Sequence, residues 1–310
     1  MAPDMGMAGT AGMAGAASTA GMAGAVGRAG AAGSAVETVR GLVYGPSGKR
    51  LDVYRPAGVA GPSGDASTSG KTGEAGPSAP APTVLLWHGI GPDERDVLDP
   101  LARTAAARGL LVLVPDWRSD AADGGRAHLL ESLAFVRTEA GGLGGDGESF
   151  VLAGWSAGAG TALGVALRPE IVEGWRPRAV VGVAGRYDLP ARTTGTAPLD
   201  DLAAGREPGG VPVHLVHGSR DAVVDAHRSR DLAEALRAAG RTGQADRVDQ
   251  AVTLQEPETD HAGVIMTAYD PAADRCVPTT AEHAVRAGQL VARMLAEAAG
   301  GAAQLGGTCP

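Results

Sequence analysis

Eight short apolar runs, most of them separated by longer stretches of helical spacing, constrain this chain more than any other feature. The runs are Leu42 to Tyr44, Leu51 to Tyr54, Thr83 to Trp87, Leu110 to Val114, Ser149 to Gly154, Ala179 to Gly185, Val211 to His217 and Gln250 to Gln255. The helical stretches are Val97 to Arg108, Gly125 to Glu139, Ala157 to Leu167, Ala226 to Ala239 and Thr280 to Ala299. A strand that feeds a helix and then another strand returns as a parallel neighbour, with the helix packed on a face of the sheet. The expected class is therefore α/β: a mostly parallel eight-stranded sheet flanked by helices, opening with an antiparallel pair.

This domain is expected over residues 36–300. Residues 1–35 read as a disordered tail, because glycine recurs too often for a helix and no large apolar residue anchors a core. Residues 57–82 are rich in Gly, Ser and Pro and read as a flexible insertion between two strands, and residues 301–310 as a C-terminal tail. The first basic residue is Arg28 and glycine interrupts every early apolar stretch, so no secretory signal is expected. No run approaches the roughly 20 apolar residues of a membrane helix. The chain is accordingly expected to be cytoplasmic. Its net charge of -8 is spread along the sequence, which argues against a nucleic-acid partner. The only two cysteines, Cys276 and Cys309, exclude a disulfide scaffold and a cysteine-rich zinc site; they form either two separate thiols or one disulfide that pins the tail.

The chemistry enters where the fifth run meets the third helical stretch, at Gly154-Trp155-Ser156-Ala157-Gly158. In a chain with 48 glycines the bare G-x-S-x-G pattern arises by chance, and such a serine can simply cap the next helix. Between a strand and a helix, however, it describes a nucleophile elbow. The sharp turn exposes the serine, and the two glycines avoid a clash between incoming strand and outgoing helix.

From Gly41 to Ala299 the chain resembles the α/β-hydrolase family, and the resemblance implies the remaining roles. Trp87-His88-Gly89-Ile90-Gly91 resembles the family's H-G-G-G loop, with Ile90 in place of a glycine. One oxyanion donor is then a backbone N–H of Gly89, Ile90 or Gly91, with Ile90 first, and the other is the N–H of Ala157. His88 is expected to brace that loop. The segment His217-Gly218-Ser219-Arg220-Asp221 resembles the family's acid-bearing turn and makes Asp221 the triad acid; Asp188, after the sixth run, is the alternative. Asp225 fits the N-cap of the helix that follows. The base belongs after the eighth run, where His261 stands. His283 lies within the last helix, and His128, His214, His217 and His227 precede the eighth run or sit in other elements.

The implied activity is acyl transfer from a small or short-chain carboxylic ester through a covalent intermediate, with no cofactor and no metal. An amidase or formamidase using the same triad and a non-catalytic ligand-binding relative are the alternatives. The segment from Arg186 to Gly210, where a lid would stand, is short and polar, so a cap is expected to be short or absent. Trp87, Trp117 and Trp155 fall at strand ends and are candidates for lining the pocket or for packing its rim. Leu51 to Pro56 and Pro115 to Arg118 resemble strands of small carboxylesterases in the acetyl-esterase, hormone-sensitive-lipase-like branch, which implies short-chain esters as substrates. Oligomeric state has no signature here.

Overall fold

The computed structural model describes residues 35–59, 79–242 and 251–300. The expected tails at 1–35 and 301–310, most of the 57–82 insertion, and Cys309 with any disulfide it makes therefore lie outside the described residues, Ala35 excepted. In chain order the elements are β1 (Val36–Tyr44), β2 (Lys49–Pro56), β3 (Thr83–Trp87), α1 (Asp99–Ala106), β4 (Leu111–Pro115), α2 (Arg126–Glu139), β5 (Val151–Trp155) and α3 (Ala157–Leu167). They continue with β6 (Ala179–Val183), α4 (Pro198–Ala203), β7 (Val213–Val216), α5 (His227–Thr242), β8 (Val252–Gln255), β9 (Thr267–Asp270), β10 (Arg275–Pro278) and α6 (Glu282–Ala298).

Strands β1 to β8 form one sheet in the order β1-β2-β4-β3-β5-β6-β7-β8. The β1-β2 and β2-β4 pairs are antiparallel and every later pair is parallel, which gives the expected architecture. Strands β3 to β6 are buried along their whole length, as parallel strands covered on both faces must be. Side-chain alternation divides them between two cores. Leu85, Trp87, Leu113, Leu152 and Leu215 pack with Leu129, Leu133, Leu163 and Leu236 of α2, α3 and α5. Val84, Leu86, Val112, Ala153 and Val181 pack with Leu101, Ala105, Val291 and Leu295 of α1 and α6 on the opposite face. Each buried leucine or valine contributes about 1.5–3 kcal/mol of transfer free energy, so the two cores hold the helices on the two faces of the sheet.

The structure departs from the sequence reading in places: β1 begins at Val36, six residues before the expected Leu42 run. The β9-β10 hairpin was not anticipated, because each strand has only four residues and both are largely exposed. The six-residue α4 interrupts the 186–210 segment, but nothing larger is built there, in keeping with a short cap.

Candidate active site

The serine turn is shaped by what a side chain would hit. Ser156 has φ 55 and ψ -119, a strained conformation for a residue with a Cβ, and its N–H donates to the Val183 carbonyl at 2.8 Å. A Cβ on Gly154 would lie 2.2 Å from the Gly158 backbone, and one on Gly158 would lie 2.6 Å from the carbonyl oxygens of Trp87 and His88. Both glycines of the motif are thus required by close approach of backbone to backbone. The half-buried serine sits at the C-terminal edge of the sheet and at the N-terminus of α3.

Asp221 and His261 come from two loops that are fastened together. The N–H groups of Ser219 and Arg220 donate to the carbonyls of Pro257 and Thr259 at 2.9 and 3.0 Å. A Cβ on Gly218 would meet the Thr259 carbonyl at 2.4 Å, so only glycine lets the two loops approach this closely. The result is a 2.7 Å hydrogen bond from His261 Nδ1 to Asp221 Oδ2. Because the acceptor is a carboxylate, Nδ1 carries the proton and Nε2 is left to accept one. The Asp221 side chain is fully buried. Burial alone would raise its pKa, but hydrogen bonds from His217, His261 and the Val224 N–H outweigh it and hold the carboxyl well below the usual range. His261 is steadied from behind by Trp155, whose Nε1 donates to the His261 carbonyl at 3.0 Å.

The loop after β3 is braced by His88, which is completely buried. Its Nδ1 lies 2.9 Å from the Gly89 carbonyl, and its Nε2 accepts from the backbone N–H groups of Glu94 and Trp117 at 3.3 and 3.2 Å. Burial pushes its pKa down to about 4, so the ring is neutral and keeps this pattern at neutral pH. Arg95 fastens the same loop to Asp52 and Asp116, the two acidic residues of the β2 and β4 motifs. Gly89 is pressed against Ser156: a Cβ there would meet Ser156 Cβ at 3.2 Å and the Trp155 ring at 3.0 Å.

Two cavities flank Ser156. The first, about 580 Å³, is lined by Ile90, Ala157, Gly160, Leu189 and Arg192 among others. The second, about 470 Å³, is lined by Trp155, His261, Tyr269 and Cys276 among others. Ile90, Ser156 and Val223 border both. Of the three candidate tryptophans only Trp155 lines either cavity. Trp87 and Trp117 are fully buried; Trp87 donates to Ser132 on the α2 side and Trp117 stacks on His88, so both serve packing rather than the pocket. Asp188, the alternative acid, is paired with Arg186 and Arg228 at 2.8 and 3.1 Å and is not the carboxylate on His261. Asp225 accepts from the His227 N–H at 2.9 Å, the expected cap of α5. The residue that sequence reasoning set aside is His217, whose Nε2 lies 3.2 Å from Asp221 Oδ2; its place four residues before the acid was the available signal. Among the described residues no group of three or more His, Cys, Asp or Glu is placed to hold a metal ion, and no helix is long and apolar enough to cross a membrane.

No family model and no curated protein matches this chain at the level of sequence. Solved structures do match. A thermophilic esterase from Thermogutta terrifontis, solved with propionate bound, superposes with a TM-score of 0.60 at 18% identity, covering 89% of this chain and 97% of that one. Carboxyl esterase 2 from the fungus Tuber melanosporum gives 0.57 at 16% identity over 86% and 87% of the two chains. A bacterial heroin esterase gives 0.56 at 16% identity over 86% and 85%. At such identities the likeness speaks to architecture: the chain has the α/β-hydrolase fold.

Proposed function

We propose that this protein is a serine hydrolase that cleaves carboxylic esters of small or short-chain acids through an acyl-enzyme intermediate. The observation that carries the reading is the buried Asp221–His261 hydrogen bond, with His261 and the strained Ser156 lining one cavity wall. His261 Nε2 takes the Ser156 hydroxyl proton as Oγ attacks the ester carbonyl. Asp221 holds the ring in the required tautomer and stabilises the imidazolium. The developing oxyanion is received by the Ala157 N–H, at the positive end of α3, and by a backbone N–H of the Gly89-Ile90-Gly91 loop. His261 then returns the proton to the leaving alcohol, and water repeats the cycle to release the acid. Cavities of this size and a short 186–210 segment suit small substrates, and the Thermogutta esterase of the same fold is solved with propionate.

The test is hydrolysis of p-nitrophenyl acetate, butyrate and octanoate by the wild type and by Ser156→Ala, with fluorophosphonate labelling and formanilide as an amide comparison. Activity that falls with chain length, a label on Ser156 and loss of both in the variant are expected. Turnover of formanilide in preference to the esters would move the assignment to an amidase. Neither turnover nor label would overturn the enzyme reading in favour of a ligand-binding relative.

A further inference from the structure

The two cavities differ in a way that assigns them to the two halves of an ester. The leaving alcohol must depart beside the group that protonates it, and His261 lines only the 470 Å³ cavity. The acyl chain therefore extends into the 580 Å³ cavity, between the start of α3 and the loop after β6. That cavity carries two arginines, Arg186 and Arg192, in a chain whose net charge is -8. Arg186 is already paired with Asp188, which it shares with Arg228. No carboxylate is paired with Arg192 among the described residues. The one acidic side chain on the cavity wall, Asp123, uses both oxygens on the Gly125 and Ala127 N–H groups at 2.9 and 2.7 Å.

The backbone at Arg192 is also held in place. Its N–H donates to Thr161 Oγ1 of α3 at 3.3 Å, the Thr193 hydroxyl donates to the Thr161 carbonyl at 2.9 Å, and Arg126 Nε donates to the Thr193 carbonyl at 2.8 Å. The guanidinium lies over Gly124, where a Cβ would come within 3.1 Å of Nη1. A half-buried guanidinium with no carboxylate partner among the described residues, on the wall of the acyl cavity, is a receptor for an anion.

Resting on the esterase reading, we propose that the preferred acyl group carries a carboxylate at its far end, so that the substrate is a half-ester of a dicarboxylic acid with the free carboxylate on Arg192. The experiment compares monomethyl adipate with dimethyl adipate, which share an acyl chain and leaving group and differ in charge, followed by acid release in a pH-stat. The half-ester is expected to have about ten- to hundredfold higher kcat/KM, carried by KM, with Arg192→Gln removing the preference and Arg192→Lys retaining part of it. Arg286→Gln, at an exposed pair with Glu282 on α6, is the control and leaves the ratio unchanged. Equal turnover of the two esters, or a preference that survives Arg192→Gln, overturns the carboxylate assignment while the hydrolase stands. Fluorophosphonate labelling of Ser156 without turnover of monomethyl adipate does the same. Absence of both turnover and label brings down the hydrolase reading and this one together.

Discussion

His217 lies against the same carboxylate oxygen that holds His261: its Nε2 is 3.2 Å from Asp221 Oδ2, while His261 Nδ1 is 2.7 Å from it. Nε2 of His217 also faces the Val224 carbonyl at 2.9 Å, and Nδ1 faces the Ser229 hydroxyl at 2.7 Å. Both partners of Nε2 are acceptors, so that nitrogen carries the proton and the Ser229 hydroxyl donates to Nδ1. Asp221 Oδ1 meanwhile accepts from the Val223 and Val224 N–H groups, each at 2.8 Å. Every lone-pair direction that orients the carboxylate is therefore spoken for.

This arrangement separates orientation from support. Asp221→Asn preserves shape but offers an amide N–H where His261 needs an acceptor, favouring the wrong tautomer; kcat is expected to fall about 10⁴-fold with little change in KM. His217→Ala leaves the acid in place but strips a donor from it and a partner from the buried Ser229 hydroxyl. It is expected to lower stability by about 1–3 kcal/mol in urea unfolding and to reduce kcat far less than Asp221→Asn does. Equal kcat losses in the two variants would show that His217 does more than support the acid.

His88 sets an acid limit on stability. Its native pKa of about 4 lies below the ordinary histidine value of about 6.5. Between those values the unfolded chain binds a proton that the native chain does not. The neutral ring therefore contributes its full stabilisation above about pH 6.5, and that contribution is lost as pH falls toward about 4. The total is up to roughly 3 kcal/mol for a completely buried ring. Urea midpoints should fall over this window, and His88→Gln should flatten that part of the profile while lowering stability at neutral pH. A slope unchanged in His88→Gln would place the titration elsewhere.

The elbow glycines are steric rather than flexible in their role. Gly158→Ala drives a methyl to 2.6 Å from two carbonyl oxygens, Trp87 at the end of β3 and His88 just after it, so α3 must shift away from that strand end. A destabilisation of about 1–3 kcal/mol or more is expected, together with loss of turnover. Gly142→Ala, where nothing lies within 4 Å, is the matched control and should change stability by less than about 0.5 kcal/mol.

Much of this was legible because β3 to β6 are short, apolar and fully covered, so their runs end close to where burial ends. Thr83–Trp87 and Ala157–Leu167 coincide with the elements the sequence suggests. Side-chain direction was harder to read. Trp87 stands at a strand end like Trp155, yet alternation along β3 turns it to the α2 face, and only pairing in the sheet reveals that. The β9-β10 hairpin escaped because its polar, four-residue strands carry no core-facing run. His217 and Arg192 escaped for a different reason: one buried imidazole and one loop guanidinium look ordinary until their partners, or the lack of a carboxylate among the described residues, are seen in space.

The proposed oxyanion donor in the loop after β3 can be tested by removing one N–H. The Gly89 carbonyl is committed to His88, and Gly91 folds back so that a Cβ there would meet the Glu94 carboxylate at 2.4 Å. Ile90 alone of the three borders both cavities beside Ser156, and the residue is 61% exposed, so it is no part of the core. Ile90→Pro deletes the N–H and should lower kcat about 10²- to 10³-fold, whereas Ile90→Ala keeps the N–H and should retain most of the turnover. Circular dichroism would confirm that the proline variant is folded. A folded Ile90→Pro protein with wild-type kcat would transfer the role to the N–H of Gly89 or Gly91, since the His88 brace that positions the loop would be untouched.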